Sequence, residues 1–90
     1  MVSSRVESKN ILVVYGSRWC GDCTRTRRFL DQHQIEYEWI NIDHDREAEK
    51  FVIQTNHGFR SVPTLVFPDG TILTEPSNAE LVERYQLEAI

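Results

Sequence analysis

The 90-residue chain has two cysteines, three positions apart in Trp19-Cys20-Gly21-Asp22-Cys23. Sulfurs at this spacing can act on a disulfide in turn. One attacks as a thiolate and forms a mixed disulfide, and the other displaces the bound group. The run Asn10 to Tyr15 ahead of them ends at Gly16, and a helical pattern follows, so the pair falls at a strand-to-helix junction. A thiolate at a helix start faces unpaired backbone N–H groups and the positive end of the helix dipole. That environment is worth ~0.3–2 kcal/mol, which favours the charged form without making it extreme. Cys20 is therefore the expected nucleophile. Arg18 adds to the effect and Asp22 opposes it. Cys23, one turn further in on the same side, gains less from the terminus; it is the expected resolving thiol and the more buried of the two.

Competing readings of the pair are weaker. A zinc site needs two more ligands, and His33, His44 and His57 lack the histidine spacing that completes a cysteine pair. The histidines read as surface or cap residues. A structural disulfide belongs to oxidising compartments, and inert core cysteines do not explain the junction. A second element is Arg60-Ser61-Val62-Pro63-Thr64, where a proline precedes a strand start. Its peptide bond can be cis or trans. If cis, it leaves the Val62 N–H and C=O to pair with an extended, peptide-like substrate beside Cys20.

These residues need a scaffold, and the periodicity supplies one. Asn10 to Tyr15 is a β-branched and aromatic run, as expected of a central strand buried on both faces. From Cys20 to about His33, the spacing of Cys23, Thr26, Phe29, Leu30 and His33 predicts a helix. Ile35 to Ile42 alternates around Tyr37 and Trp39 and predicts a second strand, parallel to the first. Asp43 or Asp45 can cap a second helix through Thr55, with Ala48, Phe51, Val52 and Thr55 on one face and His57-Gly58 as its stop. Thr64 to Phe67, the turn Pro68-Asp69-Gly70, and Thr71 to Leu73 predict a hairpin. Pro76-Ser77-Asn78 opens a last helix with Leu81, Val82 and Tyr85 on one side. The order β-α-β-α-β-β-α predicts an α/β thioredoxin fold: a four-stranded mixed sheet flanked by three helices.

Composition narrows the class. With 40% hydrophobic and 27% charged residues, 90 positions make one domain, here 10–90, after a flexible N-terminus, 1–9. The first ten residues lack the pattern of an export signal. The longest apolar run, Ile11 to Tyr15, is far short of the ~20 residues of a membrane span. Together with the sparse cysteines this points to the cytoplasm. A net charge of -4 argues against nucleic acid as a partner. Even so, Arg18, Arg25, Arg27 and Arg28 crowd the cysteine pair, either as a solvated face or as an attraction for anionic substrates.

Tyr15-Gly16-Ser17-Arg18-Trp19-Cys20-Gly21-Asp22-Cys23, Arg60-Ser61-Val62-Pro63-Thr64 and Phe67-Pro68-Asp69-Gly70 together resemble the glutaredoxins. Among these the chain is most similar to the mycoredoxins, through Asn41-Ile42-Asp43-His44-Asp45-Arg46, Phe51-Val52 and Leu73-Thr74-Glu75-Pro76-Ser77, and the match runs from about Ile11 to Leu87. The resemblance implies that Cys20 attacks mixed disulfides between proteins and a low-molecular-weight thiol, takes that thiol onto itself, and is regenerated by a second molecule of it. It also implies that Pro63 is cis and that Val62, Ser77 and Asn78 border the groove for the small thiol, with the helix start there suited to a carboxylate. Arg18, Trp19 and Arg60 complete the expected substrate-binding set. No bound cofactor is implied; mycothiol or glutathione serves as co-substrate, and the expected state is a monomer. Three departures from many glutaredoxins favour mycothiol, a sugar-linked thiol: Cys-Gly-Asp-Cys in place of Cys-Pro-Tyr-Cys, Ser17 in place of a lysine, and Pro76-Ser77-Asn78 in place of Gly-Gly and Asp. The alternatives are a thioredoxin-like protein reduced by a flavoprotein reductase, supported by Trp19-Cys20-Gly21; an iron-sulfur carrier using Cys20 from two chains, against which Cys23 argues; and an adaptor without redox chemistry.

Overall fold

The computed structural model describes residues 11–87; the expected flexible segment, Asn10 and residues 88–90 lie outside the described residues. In chain order the elements are β1 (Leu12–Gly16), α1 (Gly21–Gln32), β2 (Tyr37–Asn41), α2 (Arg46–Thr55), β3 (Thr64–Val66), β4 (Ile72–Thr74) and α3 (Asn78–Tyr85). The strands form one sheet in the order β2-β1-β3-β4. β1 runs parallel to β2, with Val14 opposite Trp39, and antiparallel to β3, with Val14 opposite Leu65. β3 and β4 form the expected antiparallel hairpin, Val66 opposite Ile72. This is the thioredoxin fold, with β1 inside the sheet as its apolar run requires.

β1 presents a different set of side chains to each face. Leu12 and Val14 join Phe29 and Leu30 of α1, Leu65, Phe67, and Leu81 of α3 in one buried cluster. On the other face, Ile40 and Ile42 pack with Ala48 and Val52 of α2, bordered by Val13, Tyr15 and Phe51. The sheet is thus sandwiched between α1 with α3 on one side and α2 on the other.

The helix ends follow the chemistry of their caps. Of the two aspartates that could start α2, Asp45 does so, accepting the Ala48 N–H at 3.0 Å. Asp43 falls instead in a 3-10 turn over Ile42–His44, which shortens β2 relative to the alternating pattern because the Asn41 side chain accepts the Asp43 N–H and turns the chain. α2 stops where His57 and Gly58 both adopt positive φ, +60° and +97°. Beyond it, Asn56 donates to the Val52 carbonyl and to Thr64 Oγ1 and accepts from Thr74 Oγ1. Thr64 itself donates to the Ser61 carbonyl at 2.8 Å. One side chain therefore ties α2 to β3 and β4 and anchors the loop that approaches the cysteines.

Candidate functional site

Cys20 lies between β1 and α1 with an extended backbone, φ −100° and ψ 114°, which makes it the N-cap of the helix. Its Sγ accepts the Cys23 N–H at 3.0 Å, and its carbonyl accepts the Thr24 N–H at 3.1 Å to begin the helical ladder. As a thiol, Cys20 donates to the Val62 carbonyl, 3.7 Å away. Once ionised it can only accept, so it keeps the Cys23 N–H and loses the Val62 bond. The Val62-Pro63 peptide is cis, and Val62 C=O is the backbone group that meets the sulfur.

The two sulfurs differ in exposure. Cys20 is half-buried, whereas Cys23 is 1% exposed on the sheet-facing side of α1. Burial pushes the Cys23 thiol up to about 12 from an ordinary 9.0, the neighbouring Cys20 sulfur adds to the rise, and a backbone hydrogen bond from Ser17 works the other way. Cys23 therefore holds its proton at neutral pH.

Close packing at the end of β1 makes this burial possible. A Cβ added at Gly16 would lie 2.5 and 2.6 Å from Cη2 and Cζ3 of Trp39 and 2.7 Å from Cys23 Sγ. The indole edge and the buried sulfur share the space that a side chain at Gly16 would fill. Arg27, one helical turn past Cys23, stacks over the Trp39 ring at 4.1 Å. The periodicity pointed to Trp39 only as a strand residue; its signal was a large aromatic, paired with Val14, on the strand parallel to the one that ends in the cysteine loop.

The basic cluster is more engaged than a solvated face would be. Arg25 donates to Asn78 Oδ1 at 2.7 Å and to the Pro76 carbonyl at 3.0 Å, and it lies 3.6 Å from Asp22. It thus joins the cysteine helix to the start of α3. Arg18 sits 5.3 Å over Trp19, whose indole is 86% exposed beside Cys20. Phe59, three residues before Val62, is likewise exposed.

The remaining expected binding residues have partners within the chain. Arg60 pairs with Asp43 and with Glu49, the latter at 2.6 Å, so its guanidinium is turned onto the 3-10 turn and α2. Burial of these exposed charges is slight, and the pairing chiefly orients the loop leading to Val62. At α3, Ser77 Oγ accepts the Glu80 N–H while the Glu80 carboxylate accepts the Ser77 N–H at 2.8 Å, a reciprocal capping box. The helix start expected to take a ligand carboxylate already holds one of its own, and Asn78 Oδ1 is held by Arg25. Among the described residues, no group of three or more His, Cys, Asp or Glu is placed to hold a metal ion, and no helix is long and apolar enough to cross a membrane.

With this geometry the sequence matches the family model for glutaredoxin over residues 12–72. The chain belongs to the glutaredoxin family. A Mycobacterium tuberculosis protein assigned to the glutaredoxins is 43% identical over 70 residues, 78% of this chain and 83% of that one. Mycoredoxin 1 of Corynebacterium glutamicum is 36% identical over 75 residues, 83% of this chain and 92% of that one. The crystal structure of a glutaredoxin from Archaeoglobus fulgidus superposes with a TM-score of 0.70 at 25% identity, covering 92% of this chain and 94% of that one.

Proposed function

We propose that this glutaredoxin is a cytoplasmic thiol-disulfide oxidoreductase that reduces mixed disulfides between proteins and a low-molecular-weight thiol, with Cys20 as nucleophile and Cys23 as resolving thiol. The observation that carries this reading is the pairing of Cys20 Sγ with the Cys23 N–H at the start of α1, beside the Val62 carbonyl that the thiol meets and the thiolate releases. An anionic sulfur there meets a backbone donor, while Cys23 is shielded and protonated. In the first step the Cys20 thiolate attacks the sulfur of the small thiol, a Cys20 mixed disulfide forms, and the protein thiolate leaves and takes up a proton. A second small thiol then attacks the bound one, which releases a disulfide of the two small thiols and Cys20 as the thiolate; alternatively Cys23 attacks Cys20 Sγ, which forms the Cys20–Cys23 disulfide and releases the small thiol.

Mycothiol is the small thiol this reading favours. Its support is the likeness to mycoredoxin 1 and the internal carboxylate at α3, which occupies the backbone donor a peptide carboxylate would use. The test is to incubate the oxidised protein separately with glutathione, with mycothiol and with a thioredoxin reductase, and to weigh the products. A mycothiol adduct on Cys20, lost in Cys20→Ser and, with mycothiol disulfide as the donor, kept in Cys23→Ser, is the expected result. Full turnover by Cys20→Ser would overturn the reading, and fast reduction by the reductase alone would move the protein to the thioredoxin-like class.

A further inference from the structure

We infer that Trp39, stacked beneath Arg27, is a positioning residue that keeps the Cys23 sulfur shut away and so governs how long a mixed disulfide on Cys20 survives before it is resolved. The inference rests on the proposed function and adds to it a control over which of two routes completes the cycle. In one route Cys23 gives up its proton to solvent, its thiolate attacks Cys20 Sγ, the Cys20–Cys23 disulfide forms, and the small thiol leaves as a thiolate that takes up a proton. In the other, the thiolate of a second small-thiol molecule attacks the sulfur of the bound one; a disulfide of the two small thiols is released, and Cys20 leaves as the thiolate.

Geometry separates the routes. The second needs access only to the Cys20 side, which is open. The first needs Cys23, whose side chain already meets Cys20, to lose its proton, and its sulfur shares the space beside Gly16 with the indole edge while only 1% of the residue is exposed. Trp39 is itself only partly buried, its ring edge and the Cys23 sulfur both border the space at Gly16, and Arg27 at 4.1 Å covers the ring. Gly16 has no side chain to take over if the indole is removed. A smaller residue at position 39 therefore opens a path to Cys23 while leaving Cys20, its cap and Val62 in place.

The test uses the full chain. In a Cys20→Ser background, iodoacetamide should label Cys23 about two- to tenfold faster when Trp39→Val is added, the range set by losing one sulfur–indole contact. In the chain with both cysteines, the mixed adduct formed with hydroxyethyl disulfide, followed by mass spectrometry, should collapse to the internal disulfide faster by a similar factor, with Arg27→Gln between the two. In Trp19→Phe, where Trp39 is the remaining indole, emission should drop on oxidation as the disulfide forms against the ring. Unchanged or slower labelling and adduct decay in Trp39→Val overturn the inference. If that variant fails to fold by circular dichroism, Arg27→Gln decay equal to wild type, or Trp39 emission indifferent to oxidation, overturns it instead. Failure of Cys20 to form any adduct in the parent chain would instead defeat the proposed function, and Cys23 labelling would still report on Trp39.

Discussion

Two glycines flank Cys20, and the same change, glycine to alanine, should act on them in opposite directions. At Gly16 the new methyl would lie 2.5–2.7 Å from the Trp39 ring and Cys23 Sγ, whereas carbon atoms rest at about 3.5–4.0 Å, so ring and sulfur must retreat by roughly an ångström. Overpacking of this kind costs ~1–3 kcal/mol. For a domain of this size each kcal/mol moves Tm by about 4–8 °C, so Gly16→Ala should melt roughly 5–20 °C lower. Gly21, the first residue of α1, has nothing within 4 Å of its would-be Cβ. Alanine there restricts the unfolded chain and suits a helix, adding ~0.4–1 kcal/mol and a few degrees. Thermal melts of the reduced proteins at pH 7, followed by circular dichroism, compare the two. In a Trp39→Val background the cost of Gly16→Ala should fall by about half, since the tightest contacts are with that ring. A Gly16→Ala protein as stable as wild type, or an equal cost at both positions, would refute the packing argument.

Two further outcomes rest on separate features. Because the folded state holds the Cys23 proton to about 12 against an ordinary 9.0, its contribution is complete below pH 9 and is lost as pH rises toward 12; stability should fall by up to ~1.4 kcal/mol per pH unit in that window. Tyr85, also raised by burial, acts in the same direction above pH 10, so urea titrations of Cys23→Ala should show a partly flattened alkaline limb. Ser77→Ala removes one half of the capping box on α3 and should cost ~1 kcal/mol, while Ser77→Asp should recover most of it; equal melting of all three proteins would count against the cap.

Most of the scaffold could be read from the residues because its signals are local. The β-branched run before Gly16, the 3.6-residue spacing of Cys23, Thr26, Phe29 and Leu30, and the Pro-Asp-Gly turn each depend on near neighbours in sequence, and each element appears where its pattern lies. The boundary of β2 moved because Asn41 uses its side chain to start a turn, a choice between competing hydrogen bonds that alternation does not encode. The basic cluster was ambiguous for a different reason. Whether Arg25 and Arg27 face solvent, Asn78 or an indole depends on elements 53 and 12 residues away, and no spacing within α1 carries that information. The same holds for Trp39 and Gly16, which belong to neighbouring strands and meet only once the parallel pairing is formed.

The division of labour proposed for two chemically identical groups is therefore a matter of backbone position. A side chain at an N-cap folds back onto the N–H three residues on, and here that N–H belongs to the other cysteine. In the ionised form this is a charge-assisted hydrogen bond, about twice as strong as a neutral one, and it starts α1. When Cys20 is tied up in a disulfide the sulfur is a neutral, weaker acceptor, and the helix loses part of its cap. Stabilisation of the reduced state by the fold must, by linkage, make the corresponding disulfide easier to reduce. In the proposed cycle the interaction that selects Cys20 for attack thus also favours returning it to the thiolate at the end, whereas the Cys23 sulfur, three residues deeper, has the Cys20 side chain and the Ser17 backbone as its partners. Exchanging the two roles would require α1 to begin one turn later, which would place Thr26 rather than Cys23 against the strand end that Gly16 and Trp39 shape.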